Sequence, residues 1–135
     1  MQLIPYLNFN GQCAAAFQFY EKCLGGKAEI MTFGNSPMAK ETPPESHSKV
    51  MHASLAVGDA ILMGSNGCPG GVVQSKGSYV ALVLKDLKEA QRIFEALTTN
   101  GTVEMPLTET FWAAGFATFV DQFGTPWMIN CERAA

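Results

Sequence analysis

Residues 15–29 read AAFQFYEKCLGGKAE, and residues 90–104 read AQRIFEALTTNGTVE. The two segments share an alanine, a phenylalanine, a glycine and a glutamate at one constant offset. The matching residues are Ala15, Phe19, Gly26 and Glu29 in the first segment and Ala90, Phe94, Gly101 and Glu104 in the second. Self-similarity of this kind indicates a fold that is built from copies of one structural unit.

Short apolar runs surround both segments. Alternating residues over 3–9 predict a strand before the first segment, and residues 78–84 predict its counterpart before the second. The strands predicted after the two segments cover residues 28–33, 50–57 and 60–63, and residues 102–107, 111–120 and 126–131. Each half of the chain therefore has the order β-α-β-β-β.

The helices are predicted from apolar residues at helical spacing, followed by glycine turns. The predicted inward residues are Cys13, Phe17, Tyr20 and Leu24, and then Leu87, Ala90, Phe94 and Leu97. Asp86 is a candidate N-cap, with Glu89 three residues later. We predict one α+β domain over residues 1–135. Its first module covers about 1–67 and its second about 76–135, and together they form a curved sheet with a cleft.

Composition and charge exclude several classes of function. The chain is 47% apolar and 16% charged, which is typical of a globular protein. Its net charge is −3 without clustered Lys or Arg, so we expect no nucleic acid partner. No apolar run approaches the roughly 20 residues of a membrane span. The first residues lack the features of a signal peptide, so we expect a cytoplasmic protein with reduced cysteines.

Two stretches of unusual composition interrupt the pattern. Residues 64–71, GSNGCPGG, lack the spacing of a nucleotide-binding turn and precede a strand, so we interpret them as part of a connector between the modules. Residues 34–49 are rich in Pro, Ser and charge and show no apolar period. A loop of this length is either a functional lid or a mobile segment.

The histidines are His47 and His52. We expect His47 to be solvated in the long loop. His52 lies on a predicted strand, on the same face as Ser54. Three roles stay open for His52: a structural or substrate-binding residue, a metal ligand, or a base that activates Ser54. One histidine cannot hold a catalytic metal alone.

Strand alternation turns a polar and aromatic set away from the helices, and Trp112 lies at a strand entrance beside Phe111. Such a mixture is typical of a pocket for a small organic ligand. The candidate ligand-binding residues are Tyr6, Asn8, His52, Ser54, Tyr79, Trp112, Met128 and Asn130. The alternative is that these side chains fill an inner face or a dimer interface.

Several segments carry a resemblance to a known family. They are PYLNF (5–9), FY (19–20) with LG (24–25), ETFW (109–112) with GF (115–116), and DQFGTPWMIN (121–130). Over nearly the whole chain the sequence resembles the PhnB-like branch of the vicinal oxygen chelate superfamily. The resemblance implies paired βαβββ modules in a U-shaped mixed sheet with helices on the outer face (the glyoxalase/bleomycin resistance fold), usually in a homodimer.

The resemblance also implies where a metal would bind. Metal-using members of the superfamily place one ligand, typically His or Glu, on each of four strands. By position these ligands fall near Pro5–Tyr6, within residues 60–63 or the neighbouring strand, at Ser78–Tyr79, and at Met128. None of these is a good ligand, so we predict no metal and no cofactor. The family label of a demethylubiquinone methyltransferase gains no support, since no donor-binding glycine turn is found.

We therefore predict a PhnB-like protein with a metal-free small-molecule pocket in a cytoplasmic homodimer. Whether it catalyses a reaction stays open, and no catalytic residue is assigned. One alternative is a metal-dependent lyase or dioxygenase of the glyoxalase type that uses His52 and residues of the long loop. Another is a drug-binding protein similar to bleomycin resistance proteins.

Overall fold

The computed structural model describes residues 1–67 and 75–134. The chain divides into two compact units, Met1–Val73 and Gln74–Ala135. The predicted connector, with Cys68, falls largely outside the described residues. That the units form one domain stays a prediction. Neither α-helix in the described part of the chain is long and apolar enough to cross a membrane.

The first unit, unit 1, contains one helix and four strands. These elements are β1 (Tyr6–Asn8), α1 (Cys13–Leu24), β2 (Lys27–Thr32), β3 (Val50–Val57) and β4 (Ala60–Ser65). The sheet order is β1-β4-β3-β2, with β1 parallel to β4 and the other pairs antiparallel. β1 is shorter than the predicted strand over residues 3–9. The other three strands agree with the sequence to within two residues at each end.

The second unit, unit 2, repeats this plan. Its elements are β5 (Val80–Leu84), α2 (Leu87–Leu97), β6 (Thr102–Thr108), β7 (Ala113–Val120) and β8 (Pro126–Glu132). The sheet order is β5-β8-β7-β6, again with one parallel pair, β5 and β8. The shared order confirms the predicted α+β fold of two βαβββ modules.

Each helix covers one face of the sheet in its own unit. The buried residues of α1 are Cys13, Ala16, Phe17, Tyr20 and Cys23, and those of α2 are Ala90, Ile93 and Leu97. The prediction for Leu87 is wrong, because this residue, in the first turn of α2, is 45% exposed. Leu24 and Phe94, which are also predicted to face inward, are half-buried. Cys23 and Ile93, one position before Leu24 and Phe94, are buried, so the buried stripe of each helix includes a residue that the prediction leaves out.

The two helix starts are capped in different ways. Asp86 Oδ1 accepts a hydrogen bond from Lys88 N at 3.0 Å, which confirms the predicted N-cap of α2. At α1 the Cys13 amide instead donates to Asn66 Oδ1, from beyond β4, at 2.9 Å. Burial raises the pKa of the Cys13 thiol to about 12, so this cysteine is a poor nucleophile.

The glycine that recurs in the two sequence segments has a steric explanation. A Cβ on Gly26 would lie 2.1 Å from the carbonyl oxygen of Ala56 on β3. A Cβ on Gly101 would lie 2.5 Å from the carbonyl oxygen of Val120 on β7. In both units the chain leaves the helix against the end of the neighbouring strand. No side chain fits at either position.

The long loop over residues 33–49 is organised by one imidazole. His47 Nε2 lies 3.0 Å from the carbonyl oxygen of Ala39 and 2.9 Å from that of Thr42. His47 is half-buried, so the expectation of a solvated side chain is wrong. Two 3₁₀ turns, Ala39–Glu41 and Pro44–Ser46, flank these contacts.

Candidate functional site

The sheet of each unit has a second face, opposite its helix, which we call the open face. In unit 1 Ala53 and Leu55 are fully buried on the helix side of β3. Strand alternation therefore places His52 and Ser54 on the open face. Tyr6 lies on the same open face as Ser54, because both residues are paired with Met63 of β4.

Hydrogen bonds join the polar side chains on the open face of unit 1. The Tyr6 hydroxyl lies 3.2 Å from His52 Nδ1, and the two ring centroids are 5.8 Å apart. Ser65 Oγ donates to Asn8 Oδ1 at 3.2 Å. The described residues contain no hydrogen bond between His52 and Ser54, so the geometry joins His52 to a phenol rather than to a nucleophile.

In unit 2 the same alternation places Met128 and Asn130, both half-buried, on the open face. Trp127 and Ile129 are fully buried on the helix side of β8. Across the sheet, Met128 lies opposite Thr118, and Asn130 lies opposite Phe116 on β7. On the other side of β8, Val83 of β5 lies opposite Asn130.

Asn130 carries a buried polar atom without a protein partner. Its Oδ1 is shielded from solvent and accepts no hydrogen bond from any described residue. An unsatisfied buried acceptor costs roughly 1–3 kcal/mol. The side chain is therefore a candidate for recognition of a ligand.

An aromatic cluster lies beside Asn130. Trp112 is 5.3 Å from the Phe116 ring centroid and 4.8 Å from that of Phe111, with rings near perpendicular in both pairs. Phe111 is 89% exposed and Trp112 47%. Hydrogen bonds between Thr110 and Ala113 close the turn that carries these side chains. The cluster therefore offers exposed ring surface from a fixed position.

A second tyrosine bridges the sheet of unit 2. The Tyr79 hydroxyl donates to Glu104 Oε1 at 3.1 Å. This hydrogen bond to a carboxylate, together with its negative charge, raises the pKa of Tyr79. Tyr79 immediately precedes β5 and Glu104 lies on β6, with two strands between them. A flat sheet would separate these edge strands by roughly 14 Å, so both long side chains must extend toward each other across the sheet.

The structure thus divides the eight predicted residues between two open faces. Tyr6, Asn8, His52 and Ser54 belong to unit 1, and Tyr79, Trp112, Met128 and Asn130 to unit 2. Sequence reasoning missed Phe116 and Glu104 as members of the second set. Alternation with the buried Ala117 and Phe119 could have found Phe116. No local sequence pattern predicts the contact of Glu104 with Tyr79.

The positions that would hold a metal by analogy with the superfamily do not fit one. They carry the phenols of Tyr6 and Tyr79 and the thioether of Met128, and residues 60–63 contain no imidazole or carboxylate. The neighbouring strand β3 adds one imidazole, that of His52. Within residues 1–67 and 75–134, no three His, Cys, Asp or Glu side chains form a group that could hold a metal ion. The donor chemistry differs from the His and Glu ligands that the analogy requires.

The segment that carries the resemblance, residues 121–130, has a structural role at its start. Asp121 is 4% exposed. Its Oδ1 accepts from the amides of Phe123 and Thr125 at 2.8 and 3.0 Å, and its Oδ2 accepts from Trp127 Nε1 at 2.8 Å. One carboxylate therefore holds the β7–β8 turn and the buried indole together, and the end of the same segment contributes Asn130.

Two βαβββ units with equal strand order define an α+β protein of paired modules. The chain belongs to the Glyoxalase/Bleomycin resistance protein/Dioxygenase superfamily, whose sequence profile matches residues 3–129. It is 35% identical over 144 residues to protein YjdN of Escherichia coli K12, covering 98% of this chain and 97% of that protein.

Solved structures agree with this assignment. Protein PA1353 from Pseudomonas aeruginosa is 45% identical, with a TM-score of 0.89 and 99% of both chains covered. A PhnB protein from Bacillus cereus, named as a candidate 3-demethylubiquinone-9 3-methyltransferase, is 19% identical with a TM-score of 0.72. It covers 97% of this chain and 99% of its own. At that identity the similarity shows the fold alone.

Proposed function

We propose that this protein is a small-molecule-binding protein of the PhnB type, which acts without a metal as a cytoplasmic homodimer. One observation carries the proposal. The open faces combine apolar and aromatic surface with a few polar groups held by the sheets, which is the composition of sites for organic ligands. The exposed rings of Phe111 and Trp112 support a subunit interface or a ligand wall, because both use aromatic side chains.

Support for metal independence comes from the chemistry of the analogous positions. Phenol and thioether groups stand where a glyoxalase-type lyase or dioxygenase would need imidazoles and carboxylates. The Tyr6 hydroxyl already lies within hydrogen-bonding distance of His52. A metal at these positions would have to recruit ligands from other parts of the chain.

The test combines elemental analysis with a thermal-shift panel on the purified full chain. The panel contains aromatic antibiotics and quinone-like compounds, each with and without a chelator. We expect less than one equivalent of Zn, Ni or Fe per chain and a chelator-independent rise in Tm with at least one compound. Ligand at 100 times Kd stabilises the folded state by about 2.7 kcal/mol.

The alternatives give different results. A stoichiometric transition metal, with turnover of hemithioacetals or catechols that a chelator abolishes, would establish the metal-dependent enzyme and contradict the proposal. Stabilisation confined to antibiotics would favour the drug-binding alternative. His52→Ala should abolish a histidine-dependent reaction but leave binding of a purely apolar ligand nearly unchanged. Light scattering at several protein concentrations tests the homodimer.

A further inference from the structure

We infer that the open face of unit 2 binds a planar aromatic molecule that carries a hydroxyl or N–H group. The ring of the ligand packs against Phe116 and Trp112, and its polar hydrogen is donated to Asn130 Oδ1. This inference rests on the proposed function as a small-molecule-binding protein and specifies the class of ligand.

The geometry joins the three residues through direct contacts. Phe116 and Asn130 lie opposite each other on β7 and β8, and residues paired in this way have neighbouring side chains. Trp112 is 5.3 Å from the Phe116 ring at 70°. Trp112 is 47% exposed, so a planar ligand can reach its ring, and Phe116 lies between that ring and Asn130 in this series of contacts. Aromatic pairs favour such offset or edge contacts.

The requirement for a donor follows from the surroundings of Asn130 Oδ1. Its cross-strand neighbours are Val83 and Phe116, whose side chains have no hydrogen to donate. The atom is hidden from solvent and unpartnered among the described residues. A ligand hydroxyl or N–H group satisfies it, whereas an ether or carbonyl at the same place brings two acceptors together. The site should therefore distinguish a donor from an acceptor on otherwise equal rings.

The open face of unit 1 does not give the same expectation. Its asparagine, Asn8, already accepts a hydrogen bond from Ser65 Oγ at 3.2 Å. The ring of Tyr6 lies against the imidazole of His52 rather than beside an unsatisfied amide. An aromatic ligand with a hydrogen-bond donor should therefore bind more tightly to the open face of unit 2 than to that of unit 1.

Isothermal titration calorimetry of the full chain tests the inference with two matched probes, 1-naphthol and 1-methoxynaphthalene. We expect naphthol to bind about tenfold more tightly, the value of one recovered hydrogen bond. Asn130→Leu should remove this preference while leaving the methyl ether bound at least as well. Phe116→Leu should weaken both probes and keep the preference. Gln91→Leu, an exposed amide on α2, should change nothing.

Equal affinity for the two probes, tighter binding of the methyl ether, no binding of naphthol at millimolar concentration, or a preference that survives Asn130→Leu would each overturn the inference. The probe comparison on the unmodified chain needs no variant to fold. A ligand found by the panel whose binding ignores Asn130 and Phe116 would leave the proposed function standing without this site. A stoichiometric metal required for activity would remove the proposed function itself.

Discussion

The two units share strand order and helix position but differ on their open faces. In unit 1 the polar side chains pair with one another, Tyr6 with His52 and Ser65 with Asn8. In unit 2 Asn130 is half-buried, and its shielded Oδ1 has no hydrogen-bond partner among the described residues, beside an aromatic cluster. The same backbone plan therefore carries one face whose polar side chains bond to one another and another on which a buried amide oxygen has no partner among the described residues.

The features that the units have in common lie on the helix side and at the turns. Gly26 and Gly101 fill equivalent places because a side chain would strike the neighbouring strand in either unit. These are constraints of folding, and they apply equally to both copies. The open faces carry no such packing constraint, so their chemistry is free to differ.

The largest expected difference between the units concerns their hairpin turns. Asp121→Ala in the β7–β8 turn should destabilise the protein by about 3–5 kcal/mol, because it leaves the Trp127 indole and two backbone amides without their buried acceptor. Asp59→Ala in the exposed Gly58–Asp59 turn should stay within about 0.5 kcal/mol. Urea unfolding measures both.

Asp121→Asn tests the contribution of the carboxylate charge separately from that of the hydrogen-bond geometry. An asparagine oxygen can keep part of the network, so we expect a loss between those of the two alanine variants. If Asp121→Ala proved as mild as Asp59→Ala, the carboxylate would not hold the turn, and the two hairpins would be energetically equivalent despite their different contacts.

A smaller effect, of opposite sign, is expected on the open faces. Asn130→Leu should stabilise the free protein by about 1 kcal/mol, because it replaces an amide whose buried oxygen has no partner among the described residues with an apolar side chain. Asn8→Leu should give no such gain, since Asn8 is exposed and bonded to Ser65. The denaturant midpoints of the two variants measure these changes in stability. A loss of stability in Asn130→Leu would mean that the amide has a structural role.

The fold was accessible from the sequence because its signals are local. Glycine turns, apolar periodicity and the Asp86 cap each act within a few residues, and the repeat supplied them twice. The errors at Leu87 and at the ends of β1 arose where tertiary packing decides burial. His47 was misjudged because its carbonyl partners, Ala39 and Thr42, are set by the path of a loop without periodic pattern.

The candidate site was accessible only in part. Alternation along β8 placed Met128 and Asn130 on one face, and the burial of Trp127 and Ile129 agrees with that assignment. The absence of a protein partner for Asn130 depends on cross-strand register, which no local pattern encodes. The bond between Tyr79 and Glu104 joins side chains near opposite edges of the sheet, which no local pattern encodes.

The smallest effect distinguishes the two tyrosines that cross the open faces. Tyr79 donates to a carboxylate, so its pKa is raised, whereas Tyr6 contacts an imidazole. The raised pKa means that the Tyr79 hydrogen bond stabilises the fold below the ordinary tyrosine pKa of about 10 and is lost as pH rises through the folded value. The stability difference between the unmodified protein and Tyr79→Phe should therefore be constant near neutral pH and vanish in alkali.

Glu104→Gln should lower the Tyr79 pKa, which NMR of the tyrosine ring carbon measures. Glu95→Gln, on the exposed surface of α2, should leave that pKa unchanged. An unchanged Tyr79 titration in Glu104→Gln would show that this hydrogen bond does not raise the Tyr79 pKa.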